Sequence, residues 1–64
     1  MDKEKFVRSW NSVKTKTKIV HFNGGWFVCN SYTFSEDDIM LYLTGDKEPV
    51  YLGRLRIDYI TEVL

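Results

Sequence analysis

Apolar residues near the start of the chain recur as Phe6, Trp10 and Val13, a spacing of i, i+4 and i+7. This puts all three on one side of a helix and predicts a short helix over 3–13. Asp2 just before it is a ready N-cap, and Glu4 in the first turn suits the helix dipole. So short a helix is not stable alone, so Phe6 and Trp10 must dock on another element. The rest of the chain points to a sheet.

From Thr15 the period changes to two. Thr15–Phe22 is rich in β-branched residues and reads as a strand; Asn23-Gly24 follows, then Gly25 and a second strand over 26–32. Asn-Gly between two apolar runs is a strong hairpin signal, and its favoured turn places both residues at positive φ. Strand 16–22 is therefore expected to pair with strand 26–32. Residues 35–45 fit two patterns. Ser35-Glu36-Asp37-Asp38 before Ile39-Met40-Leu41 resembles a capping box, with Gly45 as the residue past a helix end. As a strand, Asp38–Thr44 sends Ile39, Leu41 and Leu43 one way, and Met40 and Tyr42 the other. The strand is preferred, because a helix here would be apolar on nearly every side of its second half. A polar turn over 44–49 follows, with Pro49 at the threshold of the next strand, 50–57. Gly53 inside that strand suggests a bulge or bend. Asp58 marks a break before a last strand, 59–64.

These elements add up to one α+β, mainly β domain over 1–64: a helix packed on a strongly bent antiparallel sheet of four or five strands. In element order, and in its tail Ile60-Thr61-Glu62-Val63, the chain resembles the Sm-type and SH3-like small β-barrels. The resemblance is architectural. The Sm pattern of Asp followed by Met-Asn is not kept, since Leu41 follows Met40. Ring assembly and uridine binding are therefore not carried over, and a function taken from the fold would be analogy.

Composition narrows the class of protein. The chain has 64 residues, of which 44% are hydrophobic and 16% aromatic, and its formal net charge is zero. A disordered tail would be poorer in aromatics and more strongly charged. No apolar run approaches the ~20 residues of a membrane helix, and Asp2-Lys3-Glu4-Lys5 is not a secretory leader. The absence of Ala and Gln turns the balance away from a helical bundle, and the richness in Lys, Asn, Ile and Tyr suits an AT-rich genome such as that of a phage or mobile element. One cysteine, Cys29, and one histidine, His21, allow neither an internal disulfide nor a Cys/His metal cluster, and the lone thiol suggests the cytoplasm. Without such a staple, homo-oligomerisation is another way for so small a core to gain buried area.

Charge is unevenly spread. Residues 1–18 carry six cations and two anions, a net of +4; residues 36–48 carry one cation and five anions, a net of −4. Three kinds of chemistry follow. Cys29 and His21 lie across one hairpin and are a conceivable nucleophile and base, although a buried thiol and a strand histidine are the commoner meaning of such a pair. Lys14, Lys16 and Lys18 alternate along a strand, and Arg54 and Arg56 along another, a pattern that with Trp26 or Tyr32 as a stacking platform would suit nucleic acid. The neutral total argues against that use, and edge lysines also guard strands against aggregation. Exposed aromatics such as Trp26 and Tyr32, beside the acidic run Glu36, Asp37 and Asp38, would suit a protein partner. No cofactor, metal or catalytic set is indicated. The expectation is a small non-enzymatic protein-binding module, such as a phage inhibitor of a host or defence enzyme. The alternative is a small barrel that binds RNA or single-stranded DNA.

Overall fold

The computed structural model describes residues 1–45 and 47–63; Asp46, part of the acidic segment, and Leu64, the end of the expected last strand, lie outside them. The elements are α1 (Lys3–Ser12), β1 (Lys18–Phe22), β2 (Gly25–Phe34), β3 (Asp38–Leu43), β4 (Val50–Gly53), a 3-10 turn over Arg54–Arg56, and β5 (Ile57–Glu62). The architecture is the expected one, a short helix and a five-stranded antiparallel sheet in the order β4-β3-β2-β1-β5. The sheet is not closed into a barrel: β4 and β5 are its two edges.

Local signals account for most of these boundaries. The Asp2 carboxylate accepts a hydrogen bond from the Lys5 backbone N–H at 2.8 Å and so caps α1. The helix releases at Val13, which is extended. Phe22 and Gly25 face each other across the Asn23-Gly24 turn. Only Gly24 (φ 111°) has positive φ there, so the turn has one left-handed residue, as in type II turns, rather than the two expected. Residues 38–43 form a strand rather than a helix, with Ile39 and Leu41 buried on one side.

Two strand limits differ from expectation because ladders end where pairing does. β1 begins at Lys18, not near Thr15, because its pairing on both sides stops there: β5 ends at Glu62, opposite Lys18, and beyond Cys29, its other partner, β2 pairs with β3 instead. β4 stops at Gly53, opposite Asp38, the first residue of β3. With no strand left to pair with, residues 54–56 coil into the 3-10 turn. Gly53 carries no bulge. The register shifts lie between Cys29 and Ser31 in β2 and opposite His21–Phe22 in β5, where Asp58 is absorbed into the strand instead of breaking it.

The shift within β2 divides the sheet. Residues 25–29 pair with β1, and 29–34 pair with β3. One long strand thus serves two neighbourhoods, and the 3-10 turn ties its two ends. The Arg54 backbone N–H donates to Asp37 O (3.3 Å) beyond β2, and the Asn23 N–H donates to Arg56 O (3.3 Å) before it. Inside this curl lie Val20, Cys29, Ile39, Leu41, Leu52 and Ile57. Phe6 and Trp10 of α1 close the core against the second half of β2, where the Phe6–Tyr32 and Trp10–Tyr32 ring centroids stand 4.8 and 4.9 Å apart. Burying two large aromatics from a ten-residue helix is what holds that helix in place.

Candidate functional site

Side chains alternate across a strand, so the burial of Val20 in β1 sends its neighbours Ile19 and His21 to the other face. Register carries this across three strands. His21 stands between Trp26 of β2 and Tyr59 of β5; Ile19 stands between Val28 and Thr61. These six residues form two rows on the solvent side of β5–β1–β2, and none carries a formal charge with His21 neutral. Trp26 is 65% exposed and Tyr59 54%. The His21 ring lies flat on Tyr59, with centroids 4.3 Å apart and an 18° interplanar angle. His21 Nε2 also meets Thr61 Oγ1 at 2.7 Å. The imidazole is therefore held toward β5, while Trp26 stands free on the other side. In an antiparallel sheet the solvated face is ordinarily the polar one. Here it carries Trp26, Tyr59, Ile19 and Val28.

A second feature sits at the 3-10 turn. Leu55 is 89% exposed and borders a cavity of about 250 Å³ lined also by Met1, Asp2, Asp37 and Arg54. Glu36, Asp37 and Asp38 turn the chain from β2 to β3 and are all exposed. Their loop is held by the Ser35 N–H on Asp38 O (2.9 Å) and by the Arg54 guanidinium, which donates to Glu36 O (2.6 Å) and lies 3.9 Å from the Asp37 carboxylate. Arg54 thus serves mainly the loop backbone, leaving the carboxylates to solvent. Trp26 lies near the start of β2 and the acidic loop follows its end, so the two are not one continuous patch.

The basic candidates are not brought together. Lys14 and Lys16 are exposed in the segment before β1, whereas Lys18 turns inward with Val20 and is buried. Its ammonium lies 5.0 Å from the Trp10 ring centroid and donates to Thr15 O. The expected lysine face therefore does not form, because the strand starts too late to set all three in one alternation. Arg54 and Arg56 belong to the 3-10 turn, where residues two apart do not share a side, and Arg56 lies over the Phe22 ring at 5.7 Å. Tyr32 is half-buried, and its ring packs inward against Phe6, Trp10 and Phe34 rather than standing free as Trp26 does.

The Cys29–His21 pair is also excluded by parity. Cys29 faces the core opposite Lys18, and His21 faces solvent opposite Trp26. Burial pushes the Cys29 thiol up to about 12, the reverse of nucleophile activation. No group of three metal-ligating side chains converges among the described residues, and no described helix is long and apolar enough to cross a membrane. Tyr59 is the participant that sequence reasoning missed. Its signal was the alternation Tyr59, Thr61, Val63, but only the β1–β5 register sets it beside His21. No protein-family model, curated protein or solved structure matches the chain.

Proposed function

We propose that the protein is a small non-enzymatic binding module that docks on a protein through the solvent face of β5, β1 and β2. The observation that carries this reading is the pair of exposed aromatics, Trp26 and Tyr59, in one uncharged row across one face. Aromatic anchors on a rigid sheet lose little conformational freedom on binding, and Trp and Tyr are over-represented among residues that dominate interface energies. The lone buried Cys29 suits a reducing cytoplasm. The order of the elements and the curl of the five-stranded sheet favour reading it as an open small barrel of the SH3/Sm type, and the size and composition fit a phage-type inhibitor.

A nucleic-acid partner is the weaker reading. It needs cations beside the stacking rings, and three of the five candidates are engaged elsewhere: Lys18 on Trp10, Arg54 on the Glu36 carbonyl and Arg56 on Phe22. The test is affinity capture with tagged protein from cells that also make the untagged chain, in parallel with titration of mixed-sequence oligonucleotides over a range of salt. We expect a protein retained by the native bait and lost at least tenfold with Trp26→Ala/Tyr59→Ala. Oligonucleotide binding that weakens steeply with salt and disappears with Lys14→Glu/Lys16→Glu/Arg56→Glu would overturn the proposal.

A further inference from the structure

Resting on that reading, we infer that the protein docked on this face is a second copy of this chain, in a twofold face-to-face pair. A sheet is normally covered on the sides where it is apolar, and this one has α1 on one side only. On the other side stand Ile19 and Val28, half-buried, with Trp26 and Tyr59 beside them. Two such faces stacked at about 10 Å would form a sheet-on-sheet interface.

In charge, the face is complementary to itself. In a twofold contact the same patch meets itself, so any charge near the axis meets its own kind. The rows Tyr59–His21–Trp26 and Thr61–Ile19–Val28 carry no formal charge with His21 neutral. The chain as a whole has nine cations and nine anions, so two copies approach without net repulsion. A partner recruited by charge would instead be expected to meet acids or bases on the docking face itself.

The order of the aromatic row fixes the geometry. Neighbouring strands lie about 4.8 Å apart, so Trp26 and Tyr59 stand at similar distances on either side of His21. A twofold axis running along β1 above His21 exchanges these flanking positions. Trp26 of each copy then lies over Tyr59 of the other, and the contact is made twice. Two exposed aromatics per copy supply only part of the ~800 Å² per partner typical of a specific interface, so the pair is a weak, concentration-dependent one.

Sedimentation equilibrium on the full chain over roughly a hundredfold range of concentration tests this. The mass should climb from 7.6 kDa toward twice that value as concentration rises. Trp26→Lys alone and Tyr59→Glu alone should each hold the protein monomeric with an unchanged circular-dichroism spectrum, since both side chains are more than half exposed. Mixing these two variants should restore a heterodimer, because the axis sets position 26 of one against position 59 of the other. A chain that remains monomeric throughout, while the Trp26→Ala/Tyr59→Ala bait loses a foreign protein, overturns the second copy and leaves the docking face standing. A dimer indifferent to either charged substitution, or no rescue on mixing, overturns the proposed geometry. A monomer whose captured proteins ignore both aromatics overturns the inference and the docking face together.

Discussion

Removing the Trp10 side chain should all but unfold this protein. Trp10 packs on Phe6, with centroids 5.9 Å apart, meets Tyr32 at 4.9 Å, and carries the buried Lys18 ammonium over its ring at 5.0 Å. Trp10→Ala forfeits about 3–5 kcal/mol of burial and leaves a cavity between α1 and β2. It also strips Lys18 of the ring that compensates its burial, a further ~1–2 kcal/mol for a desolvated cation–π contact. A domain of 64 residues has a total stability of roughly 3–10 kcal/mol at ~0.05–0.15 kcal/mol per residue. The loss is thus comparable with the whole. In thermal melts followed by circular dichroism, Trp10→Ala should show no cooperative transition, or a Tm lower by at least about 12 °C at ~4–8 °C per kcal/mol. Lys18→Met and Trp10→Leu in a double-mutant cycle should show a coupling of about 1–2 kcal/mol. A Tm within a few degrees of native would refute the docking of α1 described above; an absence of coupling would refute the role of Lys18 alone.

Gly24→Val should cost about 1–2 kcal/mol in urea unfolding, because the site is open but its φ of 111° is hostile to a β-branched residue; an unchanged midpoint would mean the turn can relax. The Cys29 thiol is raised from 9.0 to about 12, so the unfolded state loses its proton first. Stability should be unaffected by this group below pH 9 and fall as pH rises from 9 toward 12, a slope that Cys29→Ala removes in urea melts at stepped pH. Glu36→Lys/Asp37→Lys/Asp38→Lys should leave Tm within a few degrees of native, since these side chains are exposed and Arg54 grips the loop mainly by its backbone. A large drop would show that the carboxylates, not the carbonyls, hold the 3-10 turn.

What could be read in the sequence was what depends on neighbours in the chain. The helical stripe Phe6 and Trp10 and the Asn23-Gly24 turn are local patterns and lie where expected, although the helix stops one residue short of Val13 and the turn has one positive φ instead of two. The 3-10 turn was illegible because Val50-Tyr51-Leu52-Gly53-Arg54-Leu55-Arg56-Ile57 alternates plausibly throughout; only the register that sets Gly53 opposite Asp38, where β3 begins, ends β4 there. The lysines show the same dependence. Lys14, Lys16 and Lys18 share a parity, but strand geometry begins at the last of them, and Trp10 draws that one inward. Trp26 was legible as an exposed aromatic beside glycines. Its companion Tyr59 was not, because 33 positions separate them in the chain and β1 alone joins them, by pairing with both.

That central position of β1 has a kinetic meaning. β1 through β4 form a meander of consecutive hairpins, each closing a short stretch of chain. β5 alone must return across some forty residues to find β1, at a loop-closure entropy that the nearer pairs do not bear. Contacts between remote positions slow the crossing of the folding barrier. The meander is therefore the natural nucleus and β5 the last strand to dock. While β5 is away, β1 is an unpaired edge that carries Val20, a surface on which another unfinished chain can pair. The same strand that completes the aromatic row also ends the interval in which this chain is most open to aggregation.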